Sequence, residues 1–508
     1  MEISMNMKKE KRWEALWYFV VFAFFFIWFS KIHPLVIYDA DDWTYIAYVR
    51  RATPIWGEWN PAKVFPEVLM PFFSNIILHT LVPLVGDYIT GFAVGHAFVV
   101  SGFITVYAWS LVEMLRRNFS LSRLTGILAG TLFLVFHFLM YRTSDFGNTY
   151  LFHCRDLNCY YNYLLPALFN AILLMHIMGN PRFDQFLAEA EPAKVGILYI
   201  LLYLAIFSNL VTSGMLAAFA GSHLLLNLLK TIKHFKLRDY VKKNYLWLVI
   251  LVMWFISAVY ELSGGRASDS SGSSLLYYMR EAAYFLKEVL VEANPLFWVS
   301  VFTITILAVV QLLLTKDKAE SEATLLQHLL VLSVAGAALL VYMLVICAMV
   351  WTGNVYRVEY QLPLLFYGLL VVFLALGYLL QKQPKLLLAL PLLIVFLASD
   401  VNTMGKTFND SLMSDYGAAN CANVSRDIIS QYIAAEEAGL TETTIYVPQH
   451  AADLKTHDNW PHSLVLCHRI GDALYEQGIL SRPIYATFVA DPAMNQRYNI
   501  PLPVAEAE

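Results

Sequence analysis

Apolar runs long enough to cross a bilayer, about 17–25 residues, begin near Ala15, Ile89, Leu124, Tyr163, Val195, Val211, Tyr245, Leu296, Leu325, Leu364 and Leu386. This pattern predicts an all-α polytopic membrane protein with about eleven transmembrane helices. A further apolar stretch, Val68–Val85, carries Asn75 near its middle together with Pro71, His79 and Pro83. It reads as a helix lying against the spans or dipping partway in. If it crossed, Arg116, Arg117 and Arg123 would lie outside and the loop holding Cys154 and Cys159 would lie in the cytoplasm. If it does not cross, the arginines stay inside, as the positive-inside rule favours. The expected topology therefore has the amino terminus in the cytoplasm and the carboxyl terminus outside.

Three outer loops follow from that topology: about Lys31 to Tyr88, Arg142 to about Asn162, and a Gly/Ser-rich segment from Ser263 to Gly272. An amphipathic stretch, Leu275–Leu290, comes after the third. From about Asp400 the pattern turns polar. Helical periodicity covers Ser425–Ala438, a β-branched run covers Thr443–Val447, a second helix covers Ser463–Gln477, and Pro483–Val489 reads as a strand. The predicted organisation is a transmembrane domain over residues 1–399 with a long first outer loop (31–88), and a small extracytoplasmic α/β domain over 400–508.

Composition agrees with membrane residence. Of the 508 residues only 15% are charged and the mean hydropathy is +0.54, against roughly 25% charged in soluble proteins. The net charge of −4, with no long basic run, excludes a nucleic-acid partner as the expectation. The first apolar segment, Ala15–Phe29, follows Lys8, Lys9, Lys11 and Arg12. No small-residue cleavage site follows it, so it reads as a retained anchor. Cys154 and Cys159 share one loop and read equally as free thiols or a bridge. Cys421 and Cys467 share the C-terminal region, where a disulfide is the favoured expectation. Cys347 lies within an apolar span.

The polar residues that stand out lie at the outer ends of spans. Asp39, Asp41 and Asp42 fall just beyond the first span. Three carboxylates within four residues repel one another, which raises at least one pKa unless a cation or donors compensate. The trio suits a general base or a metal ion, with oxygen ligands fit for Mg²⁺ or Mn²⁺. A solvated loop start, or an N-cap at Asp42 for a helix beginning near Trp43, is the plainer alternative. Trp43, Tyr45, Tyr48, Trp56 and Trp59 read as an interfacial aromatic belt, and Trp43 as a surface on which a sugar could stack. Arg142, Asp145, Arg155 and Asp156 in the second loop either pair with one another as surface bridges or converge on a phosphate. Arg357, followed by Glu359 and Tyr360, either snorkels to the headgroups or holds a lipid-linked phosphate. Lys63 and Arg266 are weaker candidates for that role.

The Asp39-Ala40-Asp41-Asp42-Trp43 motif, the long first loop with Asn60-Pro61-Ala62-Lys63 and Pro66-Glu67, and the second loop with Asp145 resemble the GT-C superfamily of membrane glycosyltransferases. The layout is also similar to uncharacterised bacterial membrane proteins related to O-antigen glucosyltransferases. The resemblance implies a plasma-membrane enzyme that uses a polyprenyl-phosphate sugar donor. It implies Asp41 or Asp42 as the base, aided by Asp39, and inversion at the anomeric carbon. Substrate contacts would then come from Trp43, Lys63, Glu67, Arg142, Asp145, Arg155, Arg357, Glu359 and Tyr360, and the acceptor would be a glycan or lipid of the cell envelope. The tryptophan-rich acceptor motif of oligosaccharyltransferases has no counterpart; Asn459-Trp460-Pro461 is the nearest sequence. Two other functions compete. A lipid-linked oligosaccharide flippase or transporter would show internal repeats and mid-span charges, and an O-antigen polymerase or ligase would lean on outer-loop arginines.

Overall fold

A computed structural model describes residues 2–47, 62–140, 150–180, 183, 189–263, 274–315, 320–399, 417–449, 460–461 and 464–502. Along the chain the helices are α1 (Glu2–Ile27), α2 (Ala40–Ala47), α3 (Met70–Val85), α4 (Tyr88–Phe119), α5 (Arg123–Leu139), the single turn α6 (Leu157–Cys159), α7 (Leu165–Met178), α8 (Pro192–Ile206), α9 (Leu210–Thr231), α10 (Leu237–Lys243) and α11 (Tyr245–Ser263). They continue as α12 (Leu275–Glu292), α13 (Pro295–Leu314), α14 (Glu320–Val350), α15 (Val358–Lys382), α16 (Leu390–Ala398) and α17 (Gly417–Glu437). The strand β1 (Glu442–Val447), α18 (Leu464–Glu476), β2 (Tyr485–Ala490) and α19 (Pro492–Tyr498) complete the order.

The protein is an all-α multi-pass membrane protein. Among the described residues eight helices are long and apolar enough to span, and a ninth is formed if Leu237–Lys243 and Tyr245–Glu261, bent by 81°, count as one. Each apolar run read from the sequence is helical. Three of them, Arg123–Leu139, Pro192–Ile206 and Pro384–Ala398, are shorter helices, and Phe65–Val85 is among the eight long ones.

The chain forms two compact units. They do not divide at residue 400, because residues 23–102 and 154–162 pack with 409–508 in one unit while the remainder forms the other. Helix α2 packs on α18 of the C-terminal segment and adds buried Trp43, Tyr45 and Ile46 to this unit's core.

In the first unit α9, α14 and α15 pack together, with α11 and α12 against them. Asn294 caps α13 and donates its side-chain amide to the carbonyls of Leu139 and Leu397, tying three helix ends. Glu14, buried on α1, pairs with Arg116 at 3.3 Å and with Arg123. The basic end of α1 and the turn between α4 and α5 therefore lie at the same end of this unit.

In the second unit Gly86, at φ 73°, ends α3 in the left-handed conformation. The chain then reverses into α4. Gly91 and Gly95 let α3 come close, since a Cβ at these positions would meet Val82 at 2.7 Å and Ile77 at 2.4 Å. A small parallel sheet pairs β1 with β2, Ile445 opposite Phe488. Its inner face (Ile445, Val447, Ala486, Phe488) is buried, with α17 against β1 and α18 against β2. The same α18 packs on α2. There Gln477 donates to the Ile46 carbonyl at 2.8 Å and accepts from the Tyr88 hydroxyl.

The favoured Cys421–Cys467 bridge does not form. The five cysteines are buried and form no disulfide, and the two thiols serve different neighbours. Cys421 lies beside Tyr38, while Cys467 receives the backbone N–H of Phe488.

Candidate functional site

The acidic trio begins α2, and its members separate by role. Asp39 occupies the N-cap position that the sequence suggested for Asp42, and its Oδ1 accepts the N–H of Asp41 at 2.9 Å. Asp42, three residues on, reaches back so that its Oδ2 accepts the N–H groups of Asp39 (3.1 Å) and Tyr38 (3.0 Å). This is the reciprocal arrangement of a capping box, with a short carboxylate in place of the usual Glu or Gln. The other oxygen, Oδ1, accepts the N–H of Asn158 at 2.6 Å. Asp42 is thus fully buried with both oxygens engaged by backbone donors.

Asn158 belongs to a second capped turn. Asp156 caps α6, accepting the N–H of Cys159 at 2.6 Å and its thiol at 3.3 Å. Burial, then the neighbouring Asp156 and Asp39 carboxylates, push the Asp42 carboxyl well above its usual range, against the pull of the backbone bonds from Asn158 and Asp39. Burial likewise raises the Tyr38 hydroxyl, aided by nearby Cys421 and the three carboxylates. Trp460 closes this corner by donating its indole N–H to the Tyr38 carbonyl at 3.1 Å. Its ring lies 5.0 Å from that of Tyr38.

Asp41 alone of the trio is exposed. The three carboxylates do not converge, and among the described residues no group of three His, Cys, Asp or Glu side chains is placed to hold a metal ion. The expected Mg²⁺ or Mn²⁺ ligand set does not fit, because both oxygens of Asp42 are turned onto backbone N–H groups.

The other predicted site residues fall as follows. Trp43 is fully buried and stacks on Tyr88 at 6.1 Å. It is a core residue and presents no face to a sugar or to headgroups. Tyr45 is buried too; Tyr48, Trp56 and Trp59 lie outside the described residues, as do Arg142, Asp145 and Arg266. Lys63 takes a left-handed backbone conformation (φ 56°), and its carbonyl accepts the N–H of buried Glu67 at 2.9 Å. Arg155 is exposed next to Asp156.

Arg357 belongs to the first unit and forms its own cluster. The guanidinium pairs with buried Glu359 at 3.6 Å and lies over the rings of Tyr163 (4.9 Å) and Tyr360 (5.8 Å). A side chain held this way is not simply snorkelling. Asp156 was legible in the sequence only as one of the second-loop charges, and Asn158 and Trp460 had no part in the expected site. The Asp-x-x-Asp spacing was a readable sign of the capping box, but nothing in the sequence couples Asp42 to Asn158.

Compared with protein-family models, curated proteins and solved structures, the chain matches none.

Proposed function

We propose that the chain is a GT-C-type glycosyltransferase working at the outer face of a bacterial plasma membrane. It transfers a sugar from a polyprenyl-phosphate donor to a glycan or lipid acceptor of the envelope. The observation that carries this reading is Asp41: an exposed carboxylate at the start of a short helix whose frame is fixed by Asp39, Asp42 and Asn158. A general base needs such a combination of access and rigid placement.

In this reading Asp41 takes the proton from an acceptor hydroxyl as that oxygen attacks the anomeric carbon. The bond from that carbon to the donor phosphate oxygen breaks on the opposite side, so one displacement inverts the centre. Exposed Arg155, in the same unit as Asp41, meets the leaving phosphate. Asp42 positions the turn and exchanges no proton with substrate.

The sidedness rests on two supports. Glu14 joins the basic end of α1 to Arg116 and Arg123, and such clusters stay in the cytoplasm. Helix α4 has 32 residues, about 48 Å at 1.5 Å per residue, which exceeds the roughly 30 Å hydrocarbon core. Its surplus length accommodates α3 alongside its first turns without α3 crossing. The acidic turn then faces outward.

The deciding experiment is Asp41→Asn expressed in the native host at matched membrane abundance. Loss of a surface glycan, with its lipid-linked donor accumulating, is the expected result. An unchanged envelope glycan with unchanged donor would overturn the assignment, and a donor trapped on the inner leaflet would favour the flippase.

A further inference from the structure

We infer that the uncovered face of the β1–β2 sheet is a binding platform for a neutral oligosaccharide; the choice of occupant rests on the proposed function, of which it would be the acceptor. Parallel strands are ordinarily covered on both faces. Among the described residues helices cover only one. Glu442, Thr444 and Tyr446 of β1 and Tyr485, Thr487 and Val489 of β2 are exposed on the other, Tyr446 at 50% and Tyr485 at 67%.

The register places these six residues in three rungs: Glu442 opposite Tyr485, Thr444 opposite Thr487, and Tyr446 opposite Val489. Side chains two residues apart on a strand share a face, so the platform extends about 13 Å along the strands. It carries a tyrosine at each end and paired hydroxyls between them.

Each edge is engaged at one position by its own unit, which favours the face for binding. On β1 the Gln431 side chain donates to the Tyr446 carbonyl and accepts its N–H, both at 2.8 Å. On β2 the N–H of Tyr485 and that of Asp491, just beyond the strand, point to β1, so the alternate Phe488 N–H points away, and it meets the Cys467 sulfur. An added strand would have to displace both.

The chemistry of the face selects among occupants. Glu442 is its one charge, so an anionic headgroup or phosphate is repelled. Val489 is its one aliphatic side chain, too little for the apolar centre of a protein interface. Tyrosine combines an apolar ring with a polar tip, and threonine offers a donor and acceptors. An oligosaccharide, with C–H faces and hydroxyls in alternation, matches that order.

The test uses the full chain in nanodiscs, immobilised, with polysaccharide released from the host envelope by mild acid and labelled at its reducing ends. Wild type should retain the label, Tyr446→Ala with Tyr485→Ala should lose about tenfold or more in affinity, and Tyr485→Trp should retain it. Continued burial of Cys467 against a maleimide would show the double variant folded; if it labels, Thr487→Lys with the same readout replaces it. Equal retention by the folded variant, no retention by wild type, or a photo-crosslinker at position 487 capturing a protein in place of glycan would overturn the platform. The two proposals separate cleanly: a glycan phenotype in Asp41→Asn with unaltered binding by the tyrosine variants leaves the transferase standing and removes the platform.

Discussion

Trp460 donates its indole N–H to the main-chain carbonyl of Tyr38, 422 positions earlier, at 3.1 Å. The same Tyr38 gives its N–H to Asp42, so the indole holds the acidic turn from behind. Trp460→Phe keeps the ring and loses one hydrogen bond, a cost of about 0.5–1.5 kcal/mol. Trp460→Ala also opens a cavity and costs about 3–5 kcal/mol. Maleimide labelling of Cys421, buried beside Tyr38, should accelerate slightly in the first variant and strongly in the second. Equal, slow labelling in both would show that the latch does not support the turn.

Asp41 and Asp42 should separate under mutation. Asp41→Asn changes an exposed side chain and should leave thermal stability within about 0.5 kcal/mol while abolishing glycan transfer. Asp42→Asn sets an amide N–H₂ against backbone donors and should cost about 1–3 kcal/mol. Melting curves in detergent, paired with glycan profiles, check both. A fully stable but inactive Asp42→Asn would reassign the base to Asp42.

The Asp42 carboxyl also predicts a pH dependence. Its folded pKa is raised above the usual 3.8 by burial and by Asp156 and Asp39. The folded state therefore binds this proton more tightly than the unfolded state, and its contribution to stability falls as pH rises from the ordinary carboxylate range through the folded value. Relative to Asp42→Asn, wild type should lose stability across that window. The difference between their melting temperatures against pH is the measurement, and a flat difference would contradict the shift.

Asp87 behaves in the opposite sense. Burial alone would raise its pKa, but hydrogen bonds from Arg426 and then Thr90 bring it down to about 2. Its contribution is present above the ordinary carboxylate range and is lost as pH falls from about 4 toward 2. Because the two side chains are about one-third exposed, the effect should be small and weaken with salt. Asp87→Asn should flatten the acid limb of the stability curve, and an unaltered limb would show that the ion pair contributes nothing.

Gly95 should be intolerant of a side chain. Its Cβ would meet Ile77 at 2.4 Å, so Gly95→Ala should cost about 1–3 kcal/mol through overpacking. Ile77→Ala in the same chain should recover part of the loss. Additive effects in that double-mutant cycle would mean that α3 and α4 do not touch there.

The membrane helices were readable because an apolar run of sufficient length has few other structures open to it, and each start from Ala15 to Leu386 falls in a helix. The secondary structure after residue 417 was readable for the same local reasons, with Thr443–Val447 a strand and Ser463–Gln477 closely matching α18. What the pattern did not disclose were pairings across long separations. Trp43 looked interfacial because a tryptophan near a span end usually is, yet its neighbour Tyr88 removes it from solvent. The acidic trio looked like a single site because charge is visible in sequence while the direction of a side chain is not. Two of its three members turn onto backbone donors, and only Asp42 is buried.

The bond from Asp42 to the Asn158 amide also sets a timetable for biogenesis. The acidic turn leaves the ribosome before its partners, one of which is made more than a hundred residues later and its indole latch more than four hundred residues later. A truncated or stalled chain can insert its first spans while lacking the contacts that shape Asp41. Synthesis of Trp460 is what completes this corner, so shorter products reside in the membrane without it.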